Sequence, residues 1–375
     1  MKNIIYLDYS ATTKVDEKVL KRFSYIASNL YGNPNSSHSL GIQVKKVIED
    51  ATKNIGDYLG IDYKEIIFTS GATEANNLAI KGISESNRKQ IITTELEHSS
   101  IFGPIGYLQK LGKRVDFVKL NKNGTVDLNH LESLLSEDTL LVSVGAVDSE
   151  LGIRQPIEEI GLLLKKHPGI IFHSDITQAI GKTNLDLTNL DLASFSGHKI
   201  YSFKGIGGLI KKSHLKINPL IHGGKSTTIY RSGTPATELV GALSESFNLF
   251  KDSLEEKYDD VKKINNKLKE ELIKYENVVI NSNDKSIPHI LNLSIIGSKP
   301  DEVQKYFASN NIFISTKTAC ASDNKLSKTV LAITNDEARA ASSIRISLSY
   351  KTTEQELKRF IQIFNKYMEE EHEIN

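Results

Sequence analysis

Between Ile66 and Phe195 the chain repeats one pattern: a short apolar run, a junction of small or polar residues, then a stretch with apolar residues at helical spacing. The apolar runs occupy 66–69, 91–94, 115–120, 140–147, 170–173 and 192–195. The helical stretches run through Leu78, Ala79 and Ile80, through Leu128, Leu131 and Leu134, and over 157–166. Strands that alternate with helices over such a length predict an α/β fold, a mostly parallel sheet with helices on both faces. In an open sheet of this kind ligands bind beyond the carboxyl ends of the strands. The residues just past each apolar run are therefore the ones to read for chemistry.

The first run is followed by Ser70-Gly71-Ala72-Thr73-Glu74, where small residues leave backbone N–H groups and a helix dipole free to face an anion. This is a candidate phosphate site, although a Ser/Thr helix cap explains the same letters. His98 falls past the second run, and the run at 140–147 delivers Asp148-Ser149-Glu150. The run at 170–173 ends in Ser174-Asp175-Ile176-Thr177-Gln178. The last run leads into Ser196-Gly197-His198-Lys199 and then a Gly-rich run at 205–210. Read as strand, tight loop, strand, this puts Lys199 at a loop tip against the sheet. A lysine partly desolvated there has a lowered pKa, is a nucleophilic amine and suits a Schiff base with a carbonyl cofactor. A single lysine is ordinarily a solvated one, and the weight comes from the other strand-end residues appearing in order. No GxGxxG follows the first strand and no GxxxxGK[ST] loop occurs, which argues against nicotinamide and P-loop nucleotide readings.

Outside that block, residues 1–14 read as a polar lead-in arm after Leu7, and 31–38 as a dense turn cluster before a helix. The cluster suits either a loop lining a site or an ordinary connection. A lysine- and glutamate-rich stretch over 250–275 reads as a long exposed helix and marks the boundary of a second unit. Beyond it, 290–295 and 343–348 alternate at period two, as half-buried strands do, with Arg345 on the face of Ser343 and Ser347. The sole cysteine, Cys320, sits in a small, polar loop at 315–323 rather than in a core-like run. One cysteine excludes disulfide frameworks and Cys-rich metal sites. Lys plus Arg is 47 against 46 Asp plus Glu, so no charge footprint for nucleic acid or an anionic membrane exists. No apolar run spans a bilayer, and the start is too short for a signal peptide, with Asp8 interrupting it. A cytoplasmic protein is expected.

Together the pieces resemble the cysteine desulfurases of the class V aminotransferase family. The motifs are Asp8-Tyr9-Ser10-Ala11-Thr12-Thr13, Gly32-Asn33-Pro34, Thr69 to Glu74, Glu97-His98, Asp175 with Gln178, Ser194 to Lys199, Arg231-Ser232-Gly233-Thr234, Ala319-Cys320 and Ser342 to Arg345. The resemblance implies a fold-type I enzyme using pyridoxal 5'-phosphate. A mostly parallel seven-stranded sheet would form a large domain over 15–255. Residues 1–14 and 256–375 would form a smaller α+β domain carrying the nucleophilic cysteine loop. Lys199 would hold the cofactor as a Schiff base, Asp175 would pair with the pyridine nitrogen, His98 would stack on the ring and act in catalysis, and Gln178 would bond the phenolic oxygen. Ala72, Thr73, Ser196 and His198 would hold the phosphate, with Thr234 lent by a partner subunit of a homodimer. Arg345 would fork onto the carboxylate of L-cysteine, and Cys320 would take its sulfur as a persulfide, releasing alanine.

The chain departs from the family at Asp148 and Ser149, where two asparagines are usual and the second contacts cofactor or substrate. It departs again at Lys317, where glycine is common. Housekeeping members carry a longer tail that docks the iron–sulfur scaffold protein. Its lack here favours a dedicated sulfur acceptor, such as a tRNA-thiolation enzyme. Two alternatives stand beside this reading. A selenocysteine lyase or related β-lyase would share Lys199, Asp175 and Arg345, and a degenerate member would act as a binding partner.

Overall fold

The computed structural model describes residues 4–316 and 326–374. In chain order the elements of the first half are β1 (Ile5–Tyr6), α1 (Glu17–Asn29), α2 (Ser39–Leu59), β2 (Ile66–Thr69), α3 (Ala72–Lys81), β3 (Gln90–Thr93), α4 (Ser99–Lys110), β4 (Arg114–Phe117), α5 (Leu128–Leu134), β5 (Thr139–Ser143), α6 (Ile157–Leu164) and β6 (Ile171–Asp175). They continue with β7 (Leu192–Ser196), β8 (Gly207–Lys211), α7 (Thr237–Asn248), α8 (Leu254–Leu272), β9 (Val278–Ile280), β10 (Ile290–Ile295), α9 (Pro300–Ser309), β11 (Ile312–Phe313), α10 (Lys328–Thr334), α11 (Glu337–Ala341), β12 (Ser343–Ser347) and α12 (Glu354–Ile374).

Seven strands form the main sheet in the order β2-β8-β7-β6-β5-β3-β4. All neighbours are parallel except β8, which runs antiparallel to both β2 and β7. The two faces bury alternate residues of the same strands. Ile92, Val142, Ala193 and Ile210 join one core, and Ile91, Leu141, Leu192 and Leu209 the other. Covering on both faces explains why β3, β5 and β7 are buried throughout and read as unbroken apolar runs. The run at 140–147 is strand only to Ser143, and the run at 115–120 only to Phe117. Past Ser143 the backbone pairs instead around Asp175, whose carbonyl accepts from Ala146 N at 2.9 Å.

A smaller antiparallel sheet, β12-β10-β9, packs Leu291, Leu293, Ile344 and Ile346 against α8 and α12. The helix over the lysine-rich stretch is not simply exposed. Val261, Leu268 and Leu272 give α8 a buried stripe against α12. The strands at 290–295 and 343–347 are buried on both faces, not half-buried as their alternation suggests. Their polar face is roofed by paired side chains instead of water. Asn281 Nδ2 donates to Asn292 Oδ1 at 2.7 Å and to Ser294 Oγ at 2.8 Å, and Ser294 Oγ donates to Arg339 O at 2.8 Å. The N-terminal arm joins this unit, since β1 pairs in parallel with β11 and Ile5 and Leu7 enter its core. Among the described residues no helix is long and apolar enough to cross a membrane.

Candidate active site

Where β2, β3, β5, β6 and β7 end, the chain leaves a cavity of about 440 Å³. Ala72, Thr73, His98, Ser149, Asp175, Gln178, Ser196, His198, Lys199 and Arg345 all line it. Thr234 does not line it. It is exposed, three residues beyond Arg231, whose Nε pairs with Glu74 Oε1 of α3 at 3.0 Å. The turn cluster at 31–38 contributes nothing to the cavity. There His38 caps α2, accepting from Gly41 N. Cys320 and Lys317 lie outside the described residues.

The phosphate candidate is built by close backbone approach. Gly71 has φ +152°, and a Cβ on Gly207 would sit 2.4 Å from Phe195 O and 2.7 Å from Gly71 Cα. Only glycine lets the β2–α3 turn lie against β7 and β8, which aims the first turn of α3 into the cavity beside Ser196 and His198. No side chain caps α3, while Glu74 turns back to accept from Ser70 N at 2.8 Å. Burial, with Lys199, Lys204 and Lys182 nearby, pushes His198 down to about 4, so it is neutral near pH 7. Its Nδ1 lies 3.2 Å from Thr12 Oγ1.

Lys199 ends a 3-10 turn, Gly197–Lys199, directly after β7. Its Nζ donates to the carbonyls of Ser10 and Ala11, the latter at 2.7 Å. The arm is clasped to the same turn, with Thr13 N donating to His198 O at 2.9 Å and Tyr201 N donating to Thr13 Oγ1 at 2.8 Å. At the end of β6, Asp175 Oδ1 accepts from Thr177 N at 3.0 Å and Oδ2 from Asn76 Nδ2 at 2.8 Å. Gln178 Nε2 donates to Ser10 O at 2.9 Å, and its Oε1 accepts from the buried Lys182 Nζ at 2.8 Å. Burial and the nearby Lys199 and Arg345 push Lys182 down to about 7.

Two buried carboxyls share the wall. Burial pushes Glu97 up to about 8, with Asp175 and Asp148 adding to it against bonds from Gly145 N and Thr94 Oγ1. Burial and Glu150 push Asp148 up to about 7, against bonds from Leu151 N and Glu150 N and the charge of Arg345. Asp148 thus closes the turn after β5, a task an asparagine oxygen performs equally.

Arg345, 2% exposed, reaches the cavity from β12. Nη2 pairs with Asp8 Oδ1 at 2.8 Å and Nη1 donates to Ser149 O at 2.8 Å. Sequence reasoning missed Asn76, Ser100, Lys182 and the carbonyls of Ser10 and Ala11. Only the density of the Asp8–Thr13 motif signalled that the arm belongs to the site.

The family model described as "Aminotransferase class-V" matches residues 5–360. "Cysteine desulfurase IscS" of Buchnera aphidicola subsp. Schizaphis graminum is 40% identical over 98% of this chain and 93% of its own length. "Cysteine desulfurase, mitochondrial" of Saccharomyces cerevisiae is 38% identical over 94% of this chain and 72% of its own. Among solved structures, a "NIFS-LIKE PROTEIN" superposes with TM-score 0.93 at 32% identity, over 98% of this chain and all of that one. A structure described as "SspA in complex with cysteine" superposes with TM-score 0.82 at 31% identity, over 93% of this chain and all of that one.

Proposed function

Because this chain belongs to the class-V aminotransferase family, and within it to the cysteine desulfurases, we propose that it is a pyridoxal 5'-phosphate enzyme that moves the sulfur of L-cysteine onto Cys320 and releases L-alanine. The observation that carries this reading is the convergence of Lys199, Asp175, His98 and Arg345, from strands of two sheets, on one cavity. Its residues fit the cofactor. Ser10 Oγ, Thr177 Oγ1 and Arg345 Nε are buried there with no hydrogen-bond partner among the described residues, as a wall meant for a polar ligand would be. The first turn of α3, with Ala72, Thr73, Ser196 and His198, would hold the phosphate, Asp175 the pyridine nitrogen, and Gln178 and Ser149 the phenolic side.

When bound, pyridoxal phosphate supplies an electrophilic carbonyl and a ring that accepts electrons. The chain supplies the rest. Lys199 offers the amine, with Ser10 and Ala11 carbonyls steering its Nζ. Asp175, which accepts from the neutral donors Asn76 Nδ2 and Thr177 N, would face the ring nitrogen. His98, on the cavity wall, would lie over the ring and could take and give a proton there. Arg345 orients the substrate carboxylate through its fork. Cys320 Sγ, as thiolate, attacks the substrate sulfur; the new S–S bond forms as the C–S bond breaks, and the carbon takes up a proton to become alanine. The ends of the segment bearing Cys320 are anchored beside the cavity. Ser315 N donates to Arg345 O at 3.1 Å, and Ser327 Oγ donates to Glu150 Oε2 at 2.5 Å. Cys320 is the fourth residue after Thr316, a reach of at most about 14 Å.

The active unit is a homodimer of two-domain subunits, 15–255 and 1–14 with 256–375, working in the cytoplasm with Thr234 completing the partner's phosphate site. The sulfur passes by contact to an acceptor protein. The test is borohydride reduction of the holoenzyme with peptide mapping, followed by assay of alanine and Cys320 persulfide. A pyridoxyl label on Lys199 and equal alanine and persulfide yields are expected; a label elsewhere overturns the assignment. Transfer from labelled cysteine to an iron–sulfur scaffold and to a tRNA-thiolating enzyme, run in parallel, identifies the acceptor.

A further inference from the structure

Two residues outside the expected site connect its two sides. Asn76, on α3, is fully buried. Its Nδ2 donates to Asp175 Oδ2 at 2.8 Å and to Ser100 Oγ at 2.9 Å. Ser100 Oγ in turn lies 2.8 Å from His98 Nδ1, and Ser100 N donates to that same nitrogen at 3.2 Å. The direction of each bond follows from what the groups can do. A carboxylate only accepts, so the amide nitrogen of Asn76, not its oxygen, faces Asp175. The second N–H of that nitrogen then points at Ser100 Oγ, which must accept. A hydroxyl has one proton, and the partner left for it is His98 Nδ1. Asn76 Oδ1 is buried with no partner among the described residues. A buried amide oxygen left unpaired is costly, so the side chain is placed for its two donors.

We propose that Asn76 and Ser100 are positioning residues that keep His98 neutral, with Nδ1 a fixed acceptor and Nε2 the nitrogen that carries the proton toward the cavity. This rests on the role given to His98 above. Protonating Nδ1 would turn it against the Ser100 N–H and force the Ser100 hydroxyl away, so both donors oppose the cation. The surroundings agree on balance: burial pulls the His98 pKa down and Lys199 pulls the same way, while Asp175 pulls it up. Glu97, on the same turn, is committed to Thr94 and Gly145. One amide thus holds the Asp175 carboxylate and, through a serine, sets which nitrogen of His98 holds the proton.

The test is nitrogen-15 NMR of histidine-labelled holoenzyme across pH, with the His98 signals assigned by His98→Gln. In the native protein the pyridine-type nitrogen of His98 is expected to be Nδ1. Ser100→Ala removes one donor to the neutral ring and is expected to shift the His98 titration upward in pH. Asn76→Asp replaces a donor with acceptors, draws the Ser100 proton away and shifts the titration upward as well. Because both changes act on one hydroxyl, the shift in the double variant is expected to fall short of the sum. A native Nδ1–H tautomer, an unmoved titration in Ser100→Ala, or additive shifts would each overturn the proposal. Should Asn76→Asp fail to fold, the native tautomer and Ser100→Ala decide alone. Borohydride labelling of Lys199 in each sample separates this outcome from failure of the cofactor reading. A labelled protein with an unmoved His98 refutes the relay only.

Discussion

The two walls of the cavity handle charge differently. On the wall built by the seven-stranded sheet, Asp175 accepts from neutral donors, Asn76 and the Thr177 N–H. On the wall built by the small sheet and the arm, Arg345 is already matched, to Asp8 and to the Ser149 carbonyl. On the proposed function, the first wall receives the ring nitrogen at Asp175. The second must admit a carboxylate beside one that is present already. On the proposed function, chemistry belongs to the first wall and substrate selection to the second.

The sharpest way to break that division is Lys199→Ala. The sheet wall loses the amine at the turn after β7 that the Ser10 and Ala11 carbonyls hold in place. Covalent retention of the cofactor should vanish and turnover fall by on the order of a thousandfold or more. Retained turnover with an intact reduced adduct would show that another lysine does the work.

Arg345→Lys attacks the other wall. A lysine keeps the charge but not the fork, so one of two charge-assisted bonds to the substrate carboxylate is lost. At about 1.5–3 kcal/mol per such bond, KM for cysteine should rise about 10- to 150-fold. The visible spectrum of the cofactor should move little, because Arg345 meets the sheet wall only at the Ser149 carbonyl. A large spectral change would mean that the two walls are not separable.

How much of this is legible in the sequence follows the same division. The sheet wall announces itself through contiguous words, such as Ser194 to Lys199 and Ser174 to Gln178, because a strand end and its loop are consecutive in the chain. Ile66–Thr69 and Ile290–Ile295 are legible to the residue, since apolar period fixes them. The Arg345 wall joins residues 337 apart, and no local pattern encodes the Asp8 contact. Asn76 is hidden because a polar residue on an amphipathic helix reads as solvated, and only packing of α3 onto the sheet buries it. The alternation at 290–295 suggests one wet face; the covering asparagine and arginine come from 281 and 339, out of range of any local reading.

Asp8→Asn sharpens the comparison with a smaller effect. The asparagine oxygen can still accept from Nη2, so the fork keeps its aim, but the resting counter-charge is gone. An incoming carboxylate then meets the guanidinium without a like charge beside it. KM should fall by up to about tenfold, with kcat close to native. A KM that rises would show that Asp8 orients Arg345 more than it competes for it.

The smallest effect on activity is expected at Asp148 of the sheet wall, where the readout is stability. Its folded pKa is raised to about 7, against about 4 for an unfolded aspartate. The folded chain therefore binds a proton there more tightly than the unfolded one. Its contribution is fully present below about pH 4 and is lost as pH rises through about 7, so stability falls across that window. Glu97, raised to about 8, extends the decline by the same logic. An amide at this position carries no charge at any pH, so Asp148→Asn removes this titration and leaves that of Glu97, and thermal melting over pH reads the difference. The amide oxygen can accept from Glu150 N and Leu151 N as the carboxylate does. The variant should match the native protein near pH 4, melt higher near pH 8 and show a shallower slope between, with the remainder due to Glu97. An equally steep slope would mean that Asp148 is ionised in the fold, with the Arg345 charge outweighing burial.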